Sequence, residues 1–312
     1  MLLFLFQSLL ANAEPLDIII MSDLNGSYGS TDYGSDTYNA IDYIVEQNPD
    51  MVLITGDMVA GQKSGLPYYA MWDSFHRTVT QPLEDHGIPI FVTPGNHDAS
   101  GYLKYAIERK IFVEEWQTFT PTVTFLQGSN YPLYYAFVVE QTLFVSLDNT
   151  RVGGLGLEQT KWLTSILKES YDTKIVFGHL PTVPFAERKK NEYLMQPEIN
   201  EMFDQYDVDL YISGHHHAYY PGIYESLPML SMPCLGSGSR HLIDSNIRSQ
   251  KGIVELRIDD QQIFYDGLDA HNHFSIIPRT SLPEVLNTPL GPIYRDDVPQ
   301  TKLLTASDHL PH

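Results

Sequence analysis

The chain has 312 residues, and its 19 Lys and Arg against 39 Asp and Glu give a formal net charge of −20. With 43% apolar and 19% charged residues, the composition excludes a disordered chain and a coiled coil. The acidic charge argues against duplex nucleic acid and anionic membrane surfaces as partners, because both require basic patches. It permits a small anionic substrate, because a bound metal ion can invert the local field. The single cysteine, Cys234, excludes an internal disulfide and a cysteine-based zinc cluster.

The start of the chain resembles an export signal. Residues 1–10 are an apolar run, and Ala11-Asn12-Ala13 follows as an A-x-A cleavage pattern. The run is well short of the ~20 residues that span a bilayer. We therefore expect a signal peptide over residues 1–13, an exported protein (periplasmic or secreted) and no stable membrane span. The alternative for the same run is a buried strand at the edge of the domain.

Strand and helix patterns alternate through the first third of the chain. Continuous apolar runs predict strands at residues 16–21, 51–55 and 88–92. Apolar residues at helical spacing predict helices at residues 36–47, 66–86 and 102–116, and Gly87 suits the end of the second. This alternation predicts a parallel sheet with helices on both faces.

The rest of the chain is richer in strand. Strands are predicted at residues 133–139, 142–147, 174–177, 208–212, 229–235, 252–258 and 262–265. Helices are predicted at residues 157–168 and 191–205. Two layers of mixed sheet flanked by helices fit this order. We assign residues 14–268 to one domain and expect residues 269–312, which lack periodicity, to form an irregular C-terminal extension.

Five of the predicted strands end in residue types that bind metal ions. The motifs are Asp23-Leu24-Asn25, Gly56-Asp57, Gly95-Asn96-His97-Asp98, Gly178-His179 and Gly214-His215-His216-His217. In an α/β sheet the carboxyl ends of parallel strands face one crevice, where ligands bind. The sequence therefore predicts that five separate loops bring Asp, Asn and His side chains to one edge of the sheet.

This ordered set of motifs resembles the calcineurin-like metallophosphoesterase family. The motifs extend from residue 23 to residue 217. The stretch from Val208 to Tyr219 also resembles the purple acid phosphatase branch. The resemblance implies an α/β fold with four layers, αββα, in which a β-sandwich is flanked by helices. It also implies a dinuclear metal site.

The resemblance further implies a role for each site residue. The implied ligands are Asp57 as the bridge, Asp23 and His217 on the first ion, and Asn96, His179 and His215 on the second. His97 is implied to lie beside the scissile phosphate as a general acid or an electrostatic stabiliser. Two divalent ions ~3.5–4 Å apart would acidify a bridging water and clamp the attacking and leaving oxygens.

Two residues depart from the family pattern. Most of the family has His two residues after the first Asp, where this chain has Asn25. The purple acid phosphatase branch has Tyr three residues after the bridging Asp, where this chain has Ala60. Asn25 is either an amide ligand of the first ion or the former of an Asx turn. The two ions are expected to be Mn, Fe or Zn, and a first site poor in nitrogen favours Mn²⁺ or iron.

The leading hypothesis is a metal-dependent hydrolase of a small phosphoester. The alternative is a degenerate member of the family that binds metal or a phosphate ligand without turnover, for which Asn25 is the only support. His216 is expected to face solvent or to support the ligands from behind. Lys189 and Lys190 are most simply interpreted as part of a solvated loop. No motif indicates an oligomeric state.

The export hypothesis predicts that the mature protein begins at Glu14 or close to it, because Ala13 completes the cleavage pattern. N-terminal sequencing of protein made by cells is the measurement. An intact Met1 on a cytoplasmic product would contradict the prediction.

Overall fold

The computed structural model describes residues 14–299, whose strands form two mixed sheets. The predicted signal peptide, at residues 1–13, lies outside the described residues. The strands are β1 Leu16–Met21, β2 Met51–Ile54, β3 Ile90–Val92, β4 Tyr135–Val139, β5 Thr142–Ser146, β6 Thr173–Gly178, β7 Leu210–Ser213, β8 Tyr220–Tyr224, β9 Leu227–Ser231, β10 Gly252–Asp259, β11 Gln262–Asp269, β12 Ser275–Ile276, β13 Val285–Thr288 and β14 Gly291–Arg295.

The parallel strands lie at one edge of the first sheet and in the centre of the second. The first sheet has the order β12-β11-β10-β1-β2-β3, in which β1, β2 and β3 are parallel. The second has the order β13-β14-β8-β9-β7-β6-β5-β4, in which β5, β6, β7 and β9 are parallel. The other strand pairs are antiparallel. Neighbouring parallel strands therefore end at one edge of their sheet.

Helices cover the outer face of each sheet. They are α1 Ser35–Gln47, α2 Tyr68–Phe75, α3 Gln81–Asp85, α4 Asn96–Ala99, α5 Ala106–Thr118, α6 Leu157–Leu167 and α7 Glu198–Gln205, with a π-helical segment, His76–Thr80, between α2 and α3. Met71 of α2 and Phe112 of α5 pack with the outer face of the first sheet. Leu163 of α6 and Phe203 of α7 belong to the core of the second.

The alternation of side chains along β1 explains why residues 18–21 are all apolar. Ile18 and Ile20 point into the core between the two sheets, whereas Ile19 and Met21 point towards the helices. Across the sandwich, the rings of Phe91 from β3 and Phe137 from β4 stack with their centroids 4.1 Å apart. A strand buried on both faces has no polar face to display. The fold is thus the expected αββα arrangement, but the prediction of helices on both faces of the first sheet was wrong, because the second sheet covers one face.

The C-terminal segment is more regular than predicted. The expectation of an irregular extension is wrong for β12, which is part of the first sheet, and for β13 and β14, which are part of the second. β14 pairs with β8, a strand that was not predicted because Pro221 and Gly222 are typical of turns. Each of these strands also pairs with its hairpin neighbour, β9 or β13, so pairing rather than the local sequence pattern defines them.

Helix α7 begins at Glu198, seven residues later than predicted. Pro197 precedes it, and a proline disfavours helical geometry in the residue before it. Residues 191–197 therefore form a loop after β6. Within residues 14–299 no helix is both long enough and apolar enough to cross a membrane.

Candidate metal centre

The five motifs lie where the carboxyl ends of the two sheets meet. Asp23 follows β1, Asp57 follows β2 and Asn96 begins α4 after β3, all in the first sheet. His179 follows β6 and His215 follows β7, both in the second sheet. The prediction of one edge of one sheet was therefore too simple. The centre lies between two such edges, and each sheet supplies part of it.

Backbone hydrogen bonds tie these loops to one another. The Asp23 N–H donates to the Gly56 carbonyl over 3.0 Å, and the Asn25 N–H donates to the Asp57 carbonyl over 3.0 Å. The Gly236 N–H, from the loop after β9, donates to the Asp23 carbonyl over 2.9 Å. The positions of the side chains in the centre are thus fixed relative to one another by main-chain contacts.

Four of the predicted ligands have strained backbone. The φ angles of four non-glycine residues there are positive: Asp23 at 51°, Asp57 at 56°, His215 at 63° and His217 at 48°. Left-handed geometry costs a non-glycine residue on the order of 1–3 kcal/mol and persists only where the surroundings enforce it. Such strain is a recurrent mark of functional sites, and here it aims four side chains into one space.

Two glycines make the close approach of the loops possible. Gly56 has φ +93°, and a Cβ there would lie 2.6 Å from Nδ1 of His179. A Cβ at Gly95 would collide with Asp57. A side chain at either position would push the loops after β2, β3 and β6 apart.

One group of predicted ligands surrounds Asp57. One ligand atom from each of Asp57, His179 and His215 lies within 4.8 Å of the other two, and all three residues are buried. Nε2 of His179 lies 3.3 Å from Oδ1 of Asp57 and 2.9 Å from Oδ1 of Asn96. The structure therefore brings together the four residues predicted for the second ion.

The other group pairs Asp23 with His217. Nε2 of His217 lies 2.9 Å from Oδ1 of Asp23. The other oxygen, Oδ2, accepts the Ser22 hydroxyl over 2.6 Å and the His215 N–H over 3.0 Å. Oδ1 is buried, and among the described residues Nε2 of His217 is its one polar contact. A buried carboxylate oxygen that faces an imidazole nitrogen in this way fits a cation bound by both groups.

Each candidate histidine ligand is oriented by its second ring nitrogen. Nδ1 of His179 lies 2.9 Å from the Thr55 carbonyl, and Nδ1 of His217 lies 3.1 Å from the Gly238 carbonyl. Nε2 of His215 lies 3.1 Å from a carboxylate oxygen of Glu192. Metal-binding histidines usually donate this second N–H to a carbonyl or carboxylate, which leaves the first nitrogen free for the ion. The donor set of carboxylate, imidazole and amide oxygen suits Mn, Fe or Zn.

The electrostatics of the centre are dominated by the two buried carboxylates. Burial alone would lower the pKa of both His179 and His217, but Asp57 raises the pKa of His179 to about 9 and Asp23 raises that of His217 to about 10. Burial would likewise raise the pKa of each Asp, yet the imidazoles hold the pKa of Asp23 and of Asp57 below its usual value. The carboxylates therefore stay anionic at neutral pH, which favours binding of cations.

His97 and Asp98 both contact the loop that carries Asp57. The His97 N–H donates to Oδ1 of Asp57 over 2.8 Å, while its side-chain Nδ1 lies 3.0 Å from the Gly61 carbonyl. The Asp98 carboxylate accepts the N–H groups of Val59 and Gly95 at 2.9 and 3.0 Å. Burial, with a smaller contribution from Asp57, raises the pKa of Asp98 to about 8. Asp98 thus holds the backbone at Val59 and Gly95 in place. The His97 side chain is half-buried at the centre.

Of the two alternatives predicted for His216, exposure to solvent is wrong, because the residue is completely buried, and a supporting position behind the ligands agrees with the structure. Its Nδ1 accepts the N–H groups of Phe185 and Ala186 at 3.0 and 3.3 Å. Its Nε2 donates to the Glu192 carbonyl over 2.8 Å. Burial lowers the pKa of His216 to about 3, so the ring is neutral and can act as both donor and acceptor. His216 therefore holds the loop after β6 against the motif that carries His215 and His217.

Sequence reasoning did not assign a supporting role to Asn149. Its Oδ1 accepts the N–H groups of His179 and Leu180 at 2.7 and 3.2 Å. Its Nδ2 donates to the Leu180 carbonyl over 2.8 Å and to the Tyr211 hydroxyl over 2.9 Å. A polar residue directly after a buried strand was the available signal. Glu192, beside His215, lay in a segment predicted to be helical and had no such signal.

Comparison with known proteins establishes the family. A sequence profile described as calcineurin-like phosphoesterase matches residues 16–219, well over half of the chain. The chain therefore belongs to the calcineurin-like phosphoesterase family, and the resemblance drawn from the motifs is confirmed. It is also 27% identical over 216 residues to purple acid phosphatase 23 of Arabidopsis thaliana, a match that covers 59% of this chain and 44% of that protein.

Solved structures share the fold. Purple acid phosphatase PPD1 from yellow lupin (Lupinus luteus) seeds aligns with a TM-score of 0.65 and 15% identity, over 85% of this chain and 53% of that one. A dimetal phosphatase from Danio rerio aligns with a TM-score of 0.58 and 14% identity, over 82% of this chain and 96% of that one. The chain spans about half the length of the two purple acid phosphatases it matches.

The contacts of Asn149 predict that Asn149→Ala weakens metal binding by about 10- to 100-fold, the usual cost of losing a group that orients a metal ligand. The substitution releases the backbone that positions His179. Calorimetric titration of the metal-free protein with Mn²⁺ is the measurement. Ser129→Ala is the control, because Ser129 also accepts a backbone N–H, from Ala136 of β4. Equal metal affinity in the wild type and in Asn149→Ala would contradict the prediction.

Proposed function

We propose that this protein hydrolyses small phosphoesters at a dinuclear metal centre. The observation that carries the proposal is the convergence of two buried carboxylates and three histidines on one space. Asp57 lies within reach of His179 and His215 on one side, and Asp23 contacts His217 on the other. The His215 N–H donates to Oδ2 of Asp23 over 3.0 Å, so the two groups are neighbours.

The proposed ligands follow this grouping. Asp57 would bridge the ions. The first ion would be bound by Asp23, Asn25 and His217, and the second by Asn96, His179 and His215. The ions, when bound, supply the positive charge that activates water and stabilises phosphoryl transfer. The identity proposed for them is Mn, Fe or Zn, from the mixed oxygen and nitrogen donors. The similarity to a purple acid phosphatase and to a dimetal phosphatase supports this chemistry.

His97 is the proposed general acid, or electrostatic stabiliser, for the leaving group. Nδ1 donates to the Gly61 carbonyl, which fixes the ring and leaves Nε2 available to the substrate. The exposed Tyr28 ring lies 5.5 Å from the His97 ring, so the imidazole is at the solvent side of the centre. A leaving oxygen can take a proton there and depart into solvent.

His97→Ala should lower turnover by roughly 10²–10⁴-fold, the usual contribution of general acid–base catalysis, and should leave metal content near that of the wild type. The reason is that Asp57 contacts the backbone N–H of His97, which alanine retains. Turnover of p-nitrophenyl phosphate and bis-p-nitrophenyl phosphate with Mn²⁺ is measured together with elemental analysis.

The matched control is His86→Ala, at an exposed histidine outside the centre. Loss of both ions in His97→Ala would make His97 structural. A wild type that binds metal but turns over neither substrate would favour the alternative of a degenerate member of the family that binds without catalysis.

Asn25 is proposed as an amide-oxygen ligand of the first ion. The residue is buried, and its N–H is fixed to the Asp57 carbonyl. The first ion would then have one imidazole, from His217, against two for the second. We therefore propose that the first ion is held more weakly and that activity depends on added metal.

The apolar run before Glu14 supports the further proposal that the protein is exported.

Asn25→His should strengthen the weaker metal site, because imidazole is a better ligand than an amide oxygen for these ions. Calorimetric titration with Mn²⁺ should resolve two unequal sites in the wild type and a smaller difference between them in the variant. Asn287→His, at an exposed position on β13, controls for adding a histidine. Two equal, tight sites in the wild type that the substitution does not change would leave Asn25 as a turn residue.

A further inference from the structure

The loop after β6 contains two Lys–Glu ion pairs with different surroundings. Lys190 pairs with Glu187 over 2.6 Å, and both side chains are more than two-fifths exposed. Lys189 pairs with Glu192, and the Lys189 side chain is only 18% exposed. The expectation of a solvated loop describes the first pair. The second pair differs, because Glu192 also contacts His215, a candidate metal ligand.

Glu192 links Lys189 to a candidate metal ligand. The same oxygen, Oε2 of Glu192, contacts Nζ of Lys189 and lies 3.1 Å from Nε2 of His215. The ammonium group is therefore within two hydrogen-bond lengths of the imidazole. Its charge helps to depress the pKa of His215, after burial and His179.

The position of this ion pair is fixed by His216. Both ring nitrogens of His216 bind backbone of the loop, at Phe185, Ala186 and Glu192. His216 directly follows His215 in sequence. The motif that supplies a metal ligand thus also holds Lys189 and Glu192 beside that ligand, so the ammonium is preorganised rather than free to sample solvent.

A phosphate ester is negatively charged, and a protein cation at the centre can share the neutralisation of that charge with the metal ions. An ammonium group has three donors, and the ion pair with Glu192 uses one of them. Arg240, the other cation against this motif, donates to the His215 carbonyl. Lys189 therefore retains donors for a phosphate oxygen, in a protein whose net charge of −20 otherwise repels anions.

We propose that Lys189 binds a non-bridging oxygen of the substrate phosphate, and that Glu192 positions it. The proposal rests on the proposed function and deepens it, because it assigns a phosphate-binding cation outside the family motifs. Glu192 acts through Lys189 and His215 and is a positioning residue. The ligand class is a phosphate group bound at the metal centre, with inorganic phosphate as its simplest form.

The test measures binding of inorganic phosphate to the metal-saturated protein by calorimetry. Lys189→Met should raise the dissociation constant of phosphate by about tenfold or more, the loss expected for a charge-assisted hydrogen bond. Metal content should not change. Lys189→Arg should recover most of the affinity, because it keeps the charge and the donors. Lys190→Met, in the neighbouring exposed pair, is the matched control and should behave like the wild type.

A double-mutant cycle tests the role of Glu192. The loss caused by Lys189→Met should be smaller in a Glu192→Gln background than in the wild type, because Lys189 is no longer positioned there. In a Glu187→Gln background the loss should be unchanged. Equal losses in both backgrounds would show that Glu192 does not position Lys189.

Failure of this inference is distinguishable from failure of the proposed function. A protein that hydrolyses phosphoesters, with equal phosphate affinity in Lys189→Met and Lys190→Met, overturns the role of Lys189 and leaves the hydrolase intact. A protein without turnover whose phosphate affinity still falls in Lys189→Met supports the phosphate-binding role and overturns the hydrolase. Loss of metal in Lys189→Met at full saturation would overturn the inference in favour of a structural role.

Discussion

The burial of two carboxylates, Asp23 and Asp57, is the constraint on which the rest of the structure depends. Removing a carboxylate from water costs several kcal/mol unless charge and hydrogen bonds compensate. Here the compensation comes from the His179 and His217 imidazoles and from backbone N–H groups of other loops. These partners come from both sheets, so the carboxylates cannot be satisfied unless the two sheets are assembled. The site and the fold therefore depend on each other.

The αββα architecture meets this constraint because the carboxyl ends of two parallel strand sets meet face to face. The apolar strand β1 is buried on both faces and ends at the strained residue Asp23. Positive φ angles at Asp23, Asp57, His215 and His217 would be unfavourable in isolated loops. The hydrogen bonds between loops and the glycines that let them approach hold that strain in place. The strained backbone lowers stability, and in return it orders the candidate metal ligands.

Sequence reasoning recovered what is encoded locally and missed what depends on distant contacts. β1 was predicted with the observed bounds, and all five motifs lie beside one another, because apolar runs and their polar ends are local signals. The motifs also identified the family. β8 and β14 were missed because their Pro and Gly residues are typical of turns, and pairing with neighbouring strands, including each other, is what makes them strands. The buried position of His216 was not predictable, because it depends on the loop at Phe185 and Glu192.

The distribution of charge connects these observations to phosphate chemistry. A chain with net charge −20 repels phosphate at long range, so any attraction must be short-range and confined to the centre. Divalent ions held by Asp23 and Asp57 would reverse the sign of the field there. Lys189, which pairs with Glu192 beside His215, would add a cation next to them. Attraction confined in this way would admit a small phosphoester and would give little affinity for an extended polyanion, which needs basic contacts over a wide surface.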